Sequence, residues 1–90
     1  MVEITFELVW KRIEAHSSEV FTQIRGGEFS YQTHDGYIEL DRINQNIALT
    51  DFEKAYYLLP LSNTVPVQHL RGPSYIYAIL MDSRIRLSDW

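Results

Sequence analysis

The hydrophobic positions at the start of the chain fit two periods at once. Val2, Ile4, Phe6 and Leu8 alternate with Glu3, Thr5 and Glu7, as in a half-buried strand. Val2, Phe6, Val9, Trp10 and Ile13 also recur at helical spacing. The helical pattern runs on through Lys11, Arg12, Glu14 and Ala15, all good helix formers, whereas the alternation fails at Val9-Trp10. Residues 2–8 read either way, and length decides for a helix over residues 4–16, stopped by Ser17-Ser18.

Three β segments follow. Val20–Arg25 is rich in β-branched and aromatic residues and leads into the turn residues Gly26-Gly27. Glu28–Thr33 sets Phe29, Tyr31 and Thr33 on one face and Ser30 and Gln32 on the other. His34-Asp35-Gly36 supplies a second hairpin turn, and Tyr37–Asp41 turns Ile38 and Leu40 inward. Thr50-Asp51-Phe52-Glu53 has the form of a capping box, opening a helix whose stripe is Phe52, Ala55, Tyr56 and Leu59 and whose end is Pro60. All three prolines fall between Pro60 and Pro73, which predicts an extended connector over residues 60–72 with a short edge strand at Val65–Val67. Gly72-Pro73-Ser74 then opens a third helix, apolar on every side from Tyr75 to Met81 and therefore mostly buried. Arg84–Trp90 reads as a polar tail carrying Ile85 and Leu87.

The order α-β-β-β-α-α predicts one small α+β domain over residues 1–90: a two-layer sandwich, with a three-stranded antiparallel meander and helices on one face. A chain that is 46% hydrophobic and 22% charged has the composition of a folded globule. The longest apolar run, Tyr75–Met81, is far short of a membrane span, and no basic segment leads the chain, so the expectation is a soluble, cytoplasmic protein. With zero cysteines, disulfides, thiol nucleophiles and cysteine-based zinc sites are ruled out.

The formal charge of −4 is unevenly spread. The first sixty residues hold ten carboxylates against five cationic side chains, and the last thirty hold three arginines against two carboxylates. Phosphate-backbone binding needs a positive field, which the chain as a whole lacks. The α-β-β-β-α order resembles that of double-stranded-RNA-binding domains, but Asp51-Phe52-Glu53 opens the second helix where such a domain would carry Lys or Arg.

Catalytic patterns are sparse. His16, His34 and His69 have no metal-ligand spacing, and neither a nucleophile elbow nor a phosphate loop is present. Glu39 and Asp41 share a strand face beside Arg42, where solvated charges are a simpler reading than a carboxylate dyad. The sequence leans away from an enzyme, names no catalytic residue and implies no cofactor or metal. A small hydrolase using convergent histidines and carboxylates is the least favoured alternative.

Two surfaces remain as candidates. Six Tyr, four Phe and two Trp are more aromatic surface than so small a core hides, and Tyr56 and Tyr57 cannot both face inward from one helix. Tyr57, Tyr77 and Trp90, with an open sheet edge, point to a non-enzymatic interaction module that binds a protein partner or a second copy of itself. The alternative is nucleic-acid or phosphate-ligand binding at the helix start Arg71-Gly72-Pro73-Ser74, drawing on His69, Arg71, Ser74, Arg84 and Arg86.

Overall fold

The computed structural model describes residues 4–41 and 43–90, so the expected roles of Val2 and Arg42 lie outside the described residues. The opening segment is helical. Helix α1 spans Phe6–Ala15, and the Thr5 hydroxyl accepts from the Leu8 N–H at 3.4 Å. Glu7 in its first turn and Arg12 in its last complement the helix dipole. Phe6, Val9, Trp10 and Ile13 are buried, which identifies the helical stripe as the period that the tertiary structure uses. Ser18 follows in a left-handed conformation (φ 74°) and turns the chain toward the sheet.

Five short strands then form an antiparallel array. Strand β1 (Phe21–Thr22) pairs with β2 (Glu28–Phe29). Strand β3 (Tyr31–His34) pairs with β4 (Tyr37–Leu40) across the Asp35-Gly36 turn, and β4 pairs with β5 (Asn46–Ala48). Ser30 links β2 to β3. Its carbonyl accepts from the Asp41 N–H at 3.1 Å, while the next carbonyl, that of Tyr31, accepts from the Ser18 N–H at 2.8 Å. Successive carbonyls of an extended chain point to opposite edges, so residues 28–34 carry β1 on one side and β4 on the other.

The three-stranded meander is therefore β3-β4-β5, and its third strand is Asn46–Ala48 where the sequence suggested Val20–Arg25. The latter segment pairs at Phe21 and Thr22 and then curls into the Gly26 turn (φ 92°). Phe21, Phe29, Tyr31, Ile38, Leu40 and Ile47 all face the core, and Thr22, Glu28, Gln32, Glu39 and Asn46 face solvent. This is the one-sided burial expected of a sheet with helices on a single face.

Helix α2 spans Leu49–Tyr56 and starts earlier than the capping-box reading placed it. Its N-cap is Ala48, with no side-chain cap bond. The cause lies in the sheet: the Leu49 N–H donates to the Gly36 carbonyl at 2.8 Å, so the chain turns helical on leaving β5. Thr50 is already inside the first turn, where its hydroxyl cannot act as the cap. Phe52 and Ala55 are fully buried, and Tyr56 and Leu59 pack against the core beyond them.

Val65–Val67 forms a 3-10 turn and not an edge strand. The fixed φ of Pro66 suits such a turn, and Asn63 Oδ1 anchors it by accepting from the Val65 N–H at 2.9 Å. Helix α3 (Pro73–Leu80) begins where Gly72-Pro73 marks it and buries Ile76, Ala78, Ile79 and Leu80. The expected polar tail instead contains a helical turn, α4 (Ser83–Arg86), whose start is capped by the Asp82 carboxylate accepting from the Arg84 N–H at 2.9 Å. Ile85 is completely buried, and α4 packs against α1 and α3. Among the described residues, no helix is long and apolar enough to cross a membrane.

Tyr31 joins the two layers. Its ring is fully buried and its hydroxyl donates to the Ile13 carbonyl at 2.6 Å, near the end of α1. Burial is the main cause that pushes its phenol pKa well above the ordinary value. A folded-state value above the unfolded one means that the native chain keeps a proton that the unfolded chain has lost. This contribution is intact below about pH 10 and declines as the pH rises further, by up to about 1.4 kcal/mol per pH unit. Tyr31→Phe should lose about 1 kcal/mol at neutral pH through the missing hydrogen bond. Urea melts of the two proteins at increasing pH should converge above about pH 10. A constant gap between them would show that Tyr31 does not titrate in this way.

Candidate functional site

The first two helices meet along a seam of aromatic rings. On α1, Phe6 and Trp10 are one turn apart, with centroids separated by 6.4 Å. Trp10 lies 5.9 Å from Phe52 in the middle of α2, and Phe6 lies 5.8 Å from Tyr56 at its end. Tyr56 in turn lies 5.3 Å from Tyr57, at a T-shaped angle of 70°. The Tyr56 hydroxyl donates to the Ile4 carbonyl at 2.6 Å, which ties the end of α2 to the start of α1.

The outermost ring of this series, Tyr57, is 74% exposed, and Leu58 beside it is 42% exposed. The two adjacent tyrosines thus divide as expected, Tyr56 inward and Tyr57 outward. Between the helices lies a groove of about 380 Å³ lined by Phe6, Glu7, Trp10, Lys11, Glu14, Leu49 and Glu53. Helical spacing explains the lining: Glu7, Lys11 and Glu14 form one row on α1, Phe6 and Trp10 the row beside it, and Leu49 and Glu53 the facing row on α2. The sequence reading missed this groove. The row of charged residues beside the Phe6–Trp10 row was its one visible sign.

The open sheet edge adjoins the seam. Leu40 donates to the Gln45 carbonyl and Leu49 to the Gly36 carbonyl. In an antiparallel ladder this phase turns the Asn46 and Ala48 amides away from β4, toward the outer edge of β5. Ala48 is also the cap of α2, so the edge runs directly into the helix.

Tyr77 and Trp90 are placed differently. Tyr77 is half-buried and packs against the core. Trp90 is half-buried too, with its indole N–H donating to the Leu80 carbonyl at 2.8 Å, so much of its surface serves the fold.

Residues of the anion-binding alternative are spread over several environments. His69 and Arg71 are exposed. The Ser74 hydroxyl accepts from the Gln23 side-chain amide at 3.0 Å, beside a hollow of about 390 Å³ lined by Gln23, Ile24, Arg25, Asn63, Thr64 and Ser74. Of the five expected residues, Ser74 alone lines that hollow, and its cation is Arg25.

Arg84 is committed to the fold. Its Nε and Nη2 donate to the two oxygens of Asp82 at 2.9 and 3.0 Å, its Nη1 to Glu19 at 3.0 Å, and its Nη2 also to the Val20 carbonyl at 2.8 Å. The guanidinium carbon lies 3.9 Å above the centre of the Phe21 ring. Hydrogen bonding to Arg84 holds the Asp82 carboxyl below its ordinary pKa, and bonding first to His16 and then to Arg84 does the same for Glu19. Arg86 donates to the Trp90 carbonyl.

On the outer sheet face, Oε1 of Glu39 lies 3.1 Å from Nε2 of His34, which stacks on Tyr37, and both groups are open to solvent. Asp41 accepts from the Ser30 N–H at 2.9 Å. Among the described residues, no three His, Asp or Glu side chains converge as metal ligands would. Comparison with family models, with curated proteins and with solved structures finds no match to this chain.

Proposed function

We propose that this protein is a non-enzymatic interaction module that binds a protein partner through the aromatic seam of α1 and α2. The exposure of Tyr57 carries this reading. A ring 74% exposed contributes little to the core, yet it stands at the end of a series of rings that the fold already holds in place. A large side chain with few rotors on a rigid support loses little entropy when it docks, and such residues dominate binding energies at interfaces. The open edge of β5 adds backbone donors next to the start of α2, suited to an extended segment of the same partner.

A photo-cross-linking residue at position 57 tests this reading in cells. The expected result is a discrete covalent adduct that is absent when the same residue replaces Gln32, which is exposed on the opposite sheet face. The mass of the adduct separates a second copy of this chain from another protein. No adduct from position 57, or the same adducts from both positions, overturns the proposal.

A further inference from the structure

The groove between α1 and α2 combines an apolar floor with a rim whose three carboxylates outnumber its one lysine, and we propose that it accepts a cationic amphipathic segment of a protein partner. An apolar side chain of that segment lies on Phe6, Trp10 and Leu49, and its Lys or Arg residues face Glu7, Glu14 and Glu53. The proposal rests on the reading of the seam as a protein-binding face and adds the chemistry of what binds there.

Charge complementarity is the argument. Three carboxylates line the groove against one cation, Lys11. None of these four side chains forms an ion pair among the described residues. The charges around α4 are different. There Asp82 and Glu19 share Arg84, and Asp89 lies 2.7 Å from Arg12. Arg12 follows Lys11 directly in sequence, but helical geometry turns it away from the groove, where it donates to the Ile85 carbonyl at 2.9 Å. The fold has thus paired its carboxylates around α4 and left the three of the groove unpaired, with Lys11 as the one cation in its lining.

The floor sets the shape of the ligand. Phe6 and Trp10 are each 8% exposed, so they present a narrow apolar strip and not an open pocket. Such a floor suits the ridge of a helix laid along the groove, with anchors one turn apart matching Phe6 and Trp10. An acidic segment would meet like charge on both walls, and a wholly apolar one would leave the rim carboxylates partly desolvated without partners.

Two amphipathic helical peptides with the same Leu and Trp anchors, one flanked by Arg and the other by Glu, test the proposal by nuclear magnetic resonance titration of the intact protein. The arginine peptide is expected to shift the Trp10 indole and the Leu49 and Glu53 amides, and to bind about tenfold or more tightly than the glutamate peptide. Its affinity should fall as salt is raised toward a Debye length of about 8 Å. Charge reversal by E7K with E14K should reverse the preference while leaving the circular dichroism spectrum unchanged. Equal binding of both peptides in the groove overturns the charge assignment and leaves the interaction reading standing. If neither peptide shifts the groove while cross-linking at position 57 still captures a partner, the groove is not the contact. Self-association through the groove in light scattering, abolished by E7K with E14K, would overturn the proposal in favour of a second copy as occupant.

Discussion

Phe52→Ala is expected to lower the stability of the fold by about 3–5 kcal/mol. Phe52 is fully buried on α2, and its ring faces Trp10 across the helix seam at 5.9 Å. Truncation removes the transfer free energy of the ring and leaves a cavity that rigid neighbours fill only in part. A 90-residue domain has a net stability of about 5–13 kcal/mol, so the loss is a large share of the total. Tm should fall by about 15–30 °C, with a matching shift of the urea midpoint. Tyr57→Ala is the control. Its ring is open to solvent, and the change should stay within about 0.5 kcal/mol. If Phe52→Ala cost less than about 1 kcal/mol, the two helices would not share a packed core at this point.

Gly72→Ala is expected to cost about 2–3 kcal/mol, more than glycine-to-alanine changes at most turns. Gly72 is left-handed (φ 65°, ψ 51°) and is the N-cap of α3, with its carbonyl accepting from the Tyr75 and Ile76 N–H groups at 3.0 Å each. A Cβ on Gly72 would stand 2.8 Å from Cδ1 of Ile47. Ile47 is fully buried in β5, so that methyl has little room to yield. Backbone strain and crowding therefore act together. Gly36→Ala separates them, because Gly36 also has positive φ (86°) but its Cβ would meet open space. That variant should lose about 1–2 kcal/mol, from the backbone alone. Equal losses at the two sites, measured by chemical denaturation, would mean that Ile47 moves aside freely.

Both predictions concern places where the sequence carries part of the information. The stripe Phe6, Val9, Trp10, Ile13 and the Gly72-Pro73 helix start were legible because each follows from local spacing or local backbone preference. The hairpin turns at Gly26 and Asp35-Gly36 were legible for the same reason. Strand β5 was not. Asn46-Ile47-Ala48 is too short and too polar to signal a strand, and its extended form depends on the ladder offered by β4. That strand in turn fixed where α2 begins, which is why a well-formed capping pattern at Thr50 gave the wrong start.

The sites divide in the same manner. Tyr57 could be read as exposed because its neighbour Tyr56 occupies the inward position of one helix. Two of the partners of Arg84 could not, because Glu19 and Val20 lie more than sixty residues earlier in the chain. The acid-rimmed groove requires two helices to be brought side by side, so no single segment displays it.

The packing of α1 against α4 has a consequence for synthesis. Helix α1 leaves the ribosome well before the segment it packs on, since Arg12 bonds the Ile85 carbonyl and pairs with Asp89. Until those residues emerge, the nascent chain must carry Val9 and Ile13 without the full set of contacts that buries them. A ribosome stalled before Ile85 should therefore hold a chain that proteases cut within α1, and emergence of residues 85–89 should end that sensitivity in a single step.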